Sequence, residues 1–380
     1  MIALLRQRNY ALLWSSQLIS QIGTWALFAA LPFFVFQITG SVLATGIMFI
    51  VEVIPPLVLG SVAGVFVDRW DRRWTMIGAN IAQALLLLLL VAVQSAEQIW
   101  IVYVVAFLGS VANQFFGPAN NALLPQLVSE EDLVTANSLD ALGENIARIL
   151  GPAVGGVLLA SLGLGAVALI DVGSYLIGAA LIYLIQVPVS EQTVPAERER
   201  SIKTELVSFW QDWIAGLRLV LQNRPLSFAF LTAGIALIGD SILGVLLVVF
   251  AQDAVKVGAQ EFGWILTARG IGGVLGGLIV ARVGPKFKPK NLMAYGMVGV
   301  GAVLFLMLWF PILPVVLVAA VAVGLPAMAW MIAGQTWLQT YSTDQYRGRV
   351  FGAFGTYAAL MGLLGMGFAT SLSSRTSGVP

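Results

Sequence analysis

The sequence predicts an all-α, polytopic membrane helix bundle. Of its 380 residues 59% are hydrophobic and only 10% are charged, against about a quarter charged in an ordinary soluble chain, and the mean hydropathy is +0.90. Uninterrupted apolar runs such as 84–93 and 242–250 lack the alternation of a membrane β-strand. Helices are therefore the only spanning structure that satisfies the backbone in lipid.

Apolar stretches of about 20 residues, the length that crosses a bilayer, predict eleven spans. Sixteen of the twenty lysines and arginines fall on the side of the amino terminus and two on the other side. Because such an excess marks the cytoplasm, we expect a cytoplasmic amino terminus and a multi-pass protein of the plasma or inner membrane. The predicted spans are 11–36, 42–67, 74–94, 98–120, 137–161, 165–187, 226–251, 260–283, 291–310, 313–340 and 350–372.

A charged segment at 188–225 separates two apolar halves and predicts a cytoplasmic linker. The halves are an amino-terminal six-helix bundle, 1–187, and a carboxy-terminal bundle, 226–380. Within the linker, apolar residues recur at helical spacing over 201–220, which predicts an amphipathic helix on the inner leaflet; a plain solvated connector is the alternative.

A weak internal repeat relates the halves. A shift of 213 positions places Gly64 on Gly277 and Arg69 on Arg282. Duplicated bundles are the usual plan of secondary transporters, so we expect two pseudo-symmetric halves.

Several kinds of chemistry are excluded. The chain contains no cysteine and no histidine, which removes disulfides, thiolates, imidazole proton relays and the usual zinc ligands. It also lacks a P-loop and a dinucleotide fingerprint. We therefore expect no enzyme, no cofactor, no metal and no nucleic-acid partner, and any proton coupling has to use carboxylates.

The joint between spans two and three carries three arginines and two aspartates within ten residues. Its Gly-xxx-Asp-Arg-xx-Arg-Arg spacing resembles the loop signature of the major facilitator superfamily. The resemblance implies a cytoplasmic conformational latch, in which a carboxylate caps a helix or pairs with an arginine; a merely topogenic loop is the alternative. Asp71 departs from the glycine that the family often has there. The latch residues are Gly64, Asp68, Arg69, Arg72 and Arg73.

Span five carries a run of small residues that resembles the Gly-Pro-xx-Gly-Gly element of the exporter branches of that superfamily. Small residues let another helix approach closely, and a proline removes one backbone donor. A packing seam without directional meaning is the alternative. The residues are Gly151, Pro152, Gly155 and Gly156.

Together with segments 124–139 and 347–352, these motifs are most similar to those of macrolide-efflux-like exporters. Two departures accompany the resemblance. Span four lacks the arginine of many drug/proton antiporters, and the family's twelfth span is missing, for which a truncated chain is the expected explanation.

Ionisable residues within the spans each cost about 2.5–3.5 kcal/mol at the bilayer centre. Glu144 and Arg148 lie one turn apart and predict a structural ion pair, while Asp140 lies near enough to the cytoplasm to be hydrated. An excess of carboxylates remains, which suits proton coupling; a static Asp240–Arg269 pair and a water-facing Asp171 are the alternatives. The coupling candidates are Glu52, Asp171, Asp240 and Arg269.

By the same resemblance the first, fourth, seventh and tenth spans line a central cavity. Amides and aromatic rings there suit a bulky, amphipathic organic molecule; interhelical hydrogen bonding and interfacial anchoring are the alternatives. The candidate substrate contacts are Gln17, Gln21, Trp25, Asn113, Gln114, Phe116, Trp330 and Gln335.

The resemblance thus implies a secondary active transporter that exports a drug-like, macrolide-like or siderophore-like compound by proton-coupled alternating access. Its partners would be the small-molecule substrate, protons and the lipid bilayer, and we expect a monomer. Two alternatives stay open, a lipid or lysolipid transporter and a non-transporting membrane receptor or scaffold.

Overall fold

A computed structural model of the chain describes residues 4–186, 214, 217–342 and 344–376, without the side chains of 61–65, 68, 344–349 and 372–376. These residues form helices and no strand, which confirms the predicted all-α class. The predicted linker, 188–225, lies largely outside the described residues, as does its amphipathic helix, so both stay predictions.

We number twelve α-helices among the described residues. The first six are α1 (Arg8–Thr39), α2 (Val42–Arg69), α3 (Arg72–Leu88), α4 (Ile99–Leu127), α5 (Leu133–Leu162) and α6 (Leu164–Tyr183). The others are α7 (Arg224–Val249), α8 (Ala259–Val283), α9 (Pro289–Trp309), α10 (Leu313–Ala322), α11 (Gly324–Tyr341) and α12 (Asp344–Thr376). They provide eleven stretches long and apolar enough to cross a membrane, with α10 and α11 sharing the tenth.

Prolines accompany two of the differences from the predicted boundaries. The predicted fourth span ends at 120, but α4 continues through Pro125 to Leu127, because neighbouring groups in a membrane bundle satisfy the carbonyl that a proline frees. The predicted tenth span is instead interrupted at Val323, with Pro326 close behind, and a proline is a common cause of such a kink.

The chain divides into two compact units. One comprises Met1–Phe34 with Val51–Val207, and the other comprises Val35–Ile50 with Ser208–Pro380. The junction of α1 and α2 thus groups with the carboxy-terminal half, a feature that the predicted halves lack. Gly46 shows the contact, since a Cβ at this position would overlap the side chain of Thr370.

In the first unit α3 packs against α4 and α6, and a core of fully buried side chains joins α1 to the other helices. Tyr10, Leu13, Val67, Met76 and Ile182 belong to this core. Tyr10 also donates a hydrogen bond to the carbonyl of Ala136 at 3.1 Å. This bond ties the start of α1 to the start of α5.

The glycines of span five, which is α5, pack against α1. Gly151, Pro152, Gly155 and Gly156 are all buried. A Cβ on Gly155 would overlap the backbone of Ala26, and one on Gly151 would lie 3.0 Å from the carbonyl oxygen of Ile22. The element is therefore a backbone-to-backbone seam between α1 and α5, and a directional role stays a prediction.

The second unit repeats this arrangement. Gly365 of α12 meets α7, where an added Cβ would lie 2.6 Å from the carbonyl oxygen of Ile238. Phe230 of α7 packs edge-on against Phe354 of α12, with ring centroids 5.4 Å apart. Spans one and five thus pair in the first unit as spans seven and eleven do in the second, in line with the internal repeat.

A second glycine contact joins α8 to the break between α10 and α11. A Cβ on Gly324 would overlap the carbonyl of Gly272, and a Cβ on Gly272 would overlap the carbonyl of Val321. Gly276 meets the backbone of Gly324 and Leu325 in the same way. Without side chains at these positions the two backbones can touch.

We predict that Gly155→Ala destabilises the protein by about 1–3 kcal/mol, because the methyl group overpacks a backbone contact that cannot move aside. Gly173→Ala is the control: a Cβ there meets no atom within 4 Å, and alanine favours a helix by up to about 1 kcal/mol. Thermal unfolding of the purified variants in detergent measures both. A Gly155→Ala melting temperature at or above that of the parent would contradict the seam.

Candidate functional site

Asp240 and Arg269 form an ion pair between α7 and α8, in which Arg269 Nη2 donates to Asp240 Oδ1. It is the one ion pair found among the described side chains. Both residues lie near the middle of their helices, and the side chains are 65% exposed for Asp240 and 39% for Arg269. Charged groups at this depth face water or a protein cavity rather than lipid tails. The two predicted partners are thus in contact. This contact is expected both for proton coupling and for a static ion pair.

Glu52 lies in the first half of α2 with a half-buried side chain. Its backbone carbonyl accepts a hydrogen bond from Ser110 Oγ of α4 at 2.8 Å, which holds the two helices together. No described group donates a hydrogen bond to its carboxylate. It is therefore an acid with no partner in the described part of the chain.

Asp171 is not water-facing, contrary to the alternative that the sequence left open. The residue is 1% exposed, and its carboxylate accepts a hydrogen bond from Ser174 Oγ at 2.8 Å. A Cβ on Gly23 of α1 would overlap the carboxylate. The missing side chain at Gly23 therefore makes room for the acid between α1 and α6.

A polar seam continues on either side of Asp171. Thr24 Oγ1 and the Tyr175 hydroxyl are hydrogen-bonded at 2.9 Å, and Ser16 Oγ donates to the carbonyl of Gly178 at 3.0 Å. Between them Ser20 Oγ donates to the carbonyl of Ser174 at 3.4 Å. Sequence reasoning missed this seam, although Ser16, Ser20 and Thr24 recur at the four-residue spacing of one helix face.

The predicted ion pair between Glu144 and Arg148 is not formed. Both residues are exposed on α5, and the Arg148 guanidinium lies over the Trp25 ring of α1, with Cζ 4.9 Å from the ring centroid. The Gly151 seam explains the difference, because it sets the Cβ of Trp25 directly against α5. The ring is then within reach of a guanidinium, which stacks readily on aromatic faces.

This stacking leaves Arg148 short of stabilisation. A cation–π contact contributes about 0.5–2 kcal/mol, while an arginine at the bilayer centre costs about 2.5–3.5 kcal/mol on the lenient scale. Arg148 donates no hydrogen bond to any residue that the structure describes. Water or a bound group has to supply the rest.

The amides predicted to contact substrate differ in their environment. Gln17 is 8% exposed and donates to Asn120 Oδ1 of α4 at 2.9 Å, which is the interhelical bond of the alternative interpretation. The buried Oε1 of Gln21 has no hydrogen-bond partner in the described residues. Gln114 donates only a long bond, 3.4 Å, to the carbonyl of Ser110, and Asn113 is exposed.

The remaining predicted contacts are mostly aromatic. Phe116 packs against the core of the first unit. Trp330 of α11 lies against Gly296 of α9, and its indole nitrogen is buried without a partner among the described groups. Gln335 is exposed on the same helix. Nothing brings these residues into a single described site, so their substrate role stays a prediction.

Two charged residues at the joint between α2 and α3 bind the ends of helices. Asp71 caps α3, accepting a hydrogen bond from the Trp74 backbone at 2.9 Å, so this departure from glycine stabilises the helix start. Arg73 donates to the carbonyls of Ile182, at 3.2 Å, and Tyr183 at the end of α6. A cation is favourable at a helix carboxyl end.

The other predicted latch residues make no side-chain hydrogen bond or ion pair that the structure describes. Arg69 is exposed, and Arg72 Nε is buried without a hydrogen-bond partner in the described part of the chain. The side chain of Asp68 lies outside the described residues, and Gly64 is part of α2. The latch itself therefore stays a prediction.

Comparison with known proteins extends these findings. The profile of the Major Facilitator Superfamily matches residues 13–376. The uncharacterized MFS-type transporter YfiS of Bacillus subtilis (strain 168) is 27% identical over 95% of this chain and 85% of its own length. The multidrug efflux pump Tap of Mycolicibacterium fortuitum is 28% identical, covering 92% and 86%.

A third relative is macrolide efflux protein A of Streptococcus pyogenes, 32% identical over 58% of this chain and about half, 53%, of its own length. Among solved structures, the nucleoside transporter NupG superimposes with a TM-score of 0.75 at 15% identity, covering 95% of this chain and 90% of that one. A bacterial homologue of the iron transporter ferroportin, in an inward-facing state, also gives 0.75 at 16% identity, covering 96% and 91%. At these identities the structures show the fold alone.

We predict that Arg73→Gln lowers stability by about 1–2 kcal/mol, because it leaves the last carbonyls of α6 without a charged donor. Arg69→Gln is the matched control, since Arg69 is exposed. Thermal unfolding, with amide hydrogen exchange near residues 182–184, distinguishes the two. Equal effects of the two substitutions would contradict a capping role for Arg73.

We also predict non-additive effects for Asp240→Asn and Arg269→Gln. Each single variant leaves one uncompensated charge at mid-span, whereas the double variant leaves none. The double variant should therefore lose less stability than the two single losses combined. Melting temperatures of the four proteins test this, and strict additivity would show that the pair contributes no coupling.

Proposed function

We propose that this chain, which belongs to the major facilitator superfamily, exports a bulky, amphipathic organic compound in exchange for protons. As a member of a transporter family it is not an enzyme. The observation that carries the proposal is the exposed Asp240–Arg269 pair at mid-span. The relatives named for macrolide and multidrug efflux support the direction and the kind of substrate. We place the protein in the plasma or inner membrane with a cytoplasmic amino terminus, as its charge distribution predicts.

In this mechanism Asp240 alternates between two states. As a carboxylate it accepts from Arg269, and the pair is neutral. When a proton binds a carboxyl oxygen of Asp240, the acid becomes neutral and the pair carries one positive charge, so the bond to Arg269 weakens. A proton thereby biases a two-state element that links α7 to α8.

Glu52 is the second candidate proton carrier. Its carboxylate lies near the middle of α2 without a hydrogen-bond donor in the described residues, so no local partner fixes its protonation state. Asp171 ranks behind both acids because it is 1% exposed. Proton exchange at Asp171 would require the seam between α1 and α6 to open.

Alternating access around a midplane cavity completes the proposal. The Gly151 and Gly155 contacts hold α1 and α5 together, and Arg73 holds α3 to α6. These contacts support the movement of these helices as one body. The charged joint that includes Asp68 and Arg69 would latch the cytoplasmic side.

The test is transport in proteoliposomes with an imposed pH gradient, using ethidium, erythromycin and 1-pyrenebutyrate as probes. We expect Asp240→Asn to reduce gradient-driven transport at least tenfold while exchange without a gradient persists, because the variant binds substrate but cannot exchange a proton. Asp253→Asn, an exposed acid at the end of the same span, is the control and should transport normally. Gradient-driven transport that is unchanged in Asp240→Asn would exclude Asp240 as the carrier. If the parent protein moves none of the three probes, the proposed export of such compounds fails.

A further inference from the structure

Within the described part of the chain, Arg148 is a cation without an anionic partner. It lies at the middle of α5 (Leu133–Leu162) and is exposed, with no carboxylate within ion-pair distance in the described residues. Its guanidinium lies over the Trp25 ring, with Cζ 4.9 Å from the ring centroid. The guanidinium N–H groups make no hydrogen bond to any described group.

The platform below the guanidinium is firmly held. The Trp25 Cβ and the Ile22 carbonyl pack against Gly151, and Ala26 packs against Gly155. Because these contacts involve the backbone of α1, the Cβ of Trp25 cannot move away from α5 without separating the helices. The stacked pair is thus a prearranged surface, which lowers the cost of ordering a ligand on it.

The chemistry of this surface selects a planar anion. A guanidinium presents its donors in a fixed fork that matches both oxygens of a carboxylate. The indole under it is half-buried, and its accessible part is an apolar surface for the body of the same molecule. One turn before Trp25 on the same face of α1, Gln21 Oε1 is buried and unpartnered within the described chain, and it can accept a hydrogen bond from a ligand hydroxyl or amide.

We propose that Arg148 and Trp25 form the headgroup subsite of the exported compound, and that this subsite takes an amphipathic molecule with a carboxylate. The inference rests on the proposed function, because it names the substrate class for that export. Glu144, exposed one turn towards the amino end of α5, forms no ion pair with Arg148 and so leaves the guanidinium open to a substrate carboxylate. The subsite thus accounts for an arginine that the fold does not neutralise.

The experiment measures binding to purified protein in nanodiscs with three fluorescent probes that share one body: 1-pyrenebutyrate, its neutral amide 1-pyrenebutanamide, and the cation 1-pyrenebutylamine. Empty nanodiscs correct for partition into lipid. We expect the parent protein to bind the acid at least tenfold more tightly than the amide, and the amine most weakly. Arg148→Gln should bind the acid and the amide equally.

Two further variants keep the test decisive. Arg148→Lys preserves the charge but not the fork, so the preference for the acid should fall at least threefold without vanishing. Glu144→Gln removes a negative charge one turn from Arg148 that repels an anionic ligand, and it should bind the acid at least as tightly as the parent. These two variants carry the test if Arg148→Gln does not fold.

Three results would overturn the proposal: no preference for the acid in the parent, an unchanged preference in Arg148→Gln or Arg148→Lys, or the same loss of preference in Glu144→Gln. The outcome is separable from that of the transport assay. If the acid binds as expected but none of the three transport probes is moved, the export function fails and the subsite stands. If a probe is transported without any preference for the acid, only the subsite fails.

Discussion

The interior of a bilayer offers no water to a charge, and this constraint governs every polar feature of the chain. Asp240 meets it with Arg269, and Asp171 meets it by burial beside Ser174. Arg148 meets it only in part, through the ring of Trp25. Such groups are costly to keep in a membrane helix, so the way each is compensated indicates whether it serves structure or transport. An acid enclosed in a seam serves packing, whereas an exposed charge with an exchangeable partner can serve a cycle.

Close helix contacts provide the frame in which these charges are held. In lipid, helices gain little from burying apolar side chains against each other, so backbone approach through small residues becomes a main source of contact. The seam at Gly151 and Gly155 is an example, and its by-product is the position of Trp25 under Arg148. The packing seam thus also places the ring that belongs to the proposed headgroup subsite.

Local features of the chain were accessible to sequence reasoning, and contacts between helices mostly were not. Hydropathy predicts the spans because crossing a bilayer needs a minimum apolar length, and the described residues contain eleven helical stretches that meet it. Asp240 and Arg269 could be matched because they are the opposite charges of neighbouring spans. Glu144 and Arg148 were paired by spacing along one helix, yet a ring on another helix takes the guanidinium. The rotation of each helix about its axis decides such contacts, and that rotation follows from packing rather than from local sequence. The contact between Arg73 and the end of α6 could not be predicted for the same reason, because it depends on how the helices pack.

The meeting of Gly272 with Gly324 has an evolutionary consequence. At Gly46 the obstacle is the side chain of Thr370, so a bulkier residue at one position could be offset by a smaller one at the other, and lineages can drift through paired changes. At Gly272 and Gly324 the obstacle is main chain on both sides, and no residue is smaller than glycine. A substitution at either site has no compensating partner, so descendants of this chain should retain both glycines long after Gly46 and Thr370 have diversified.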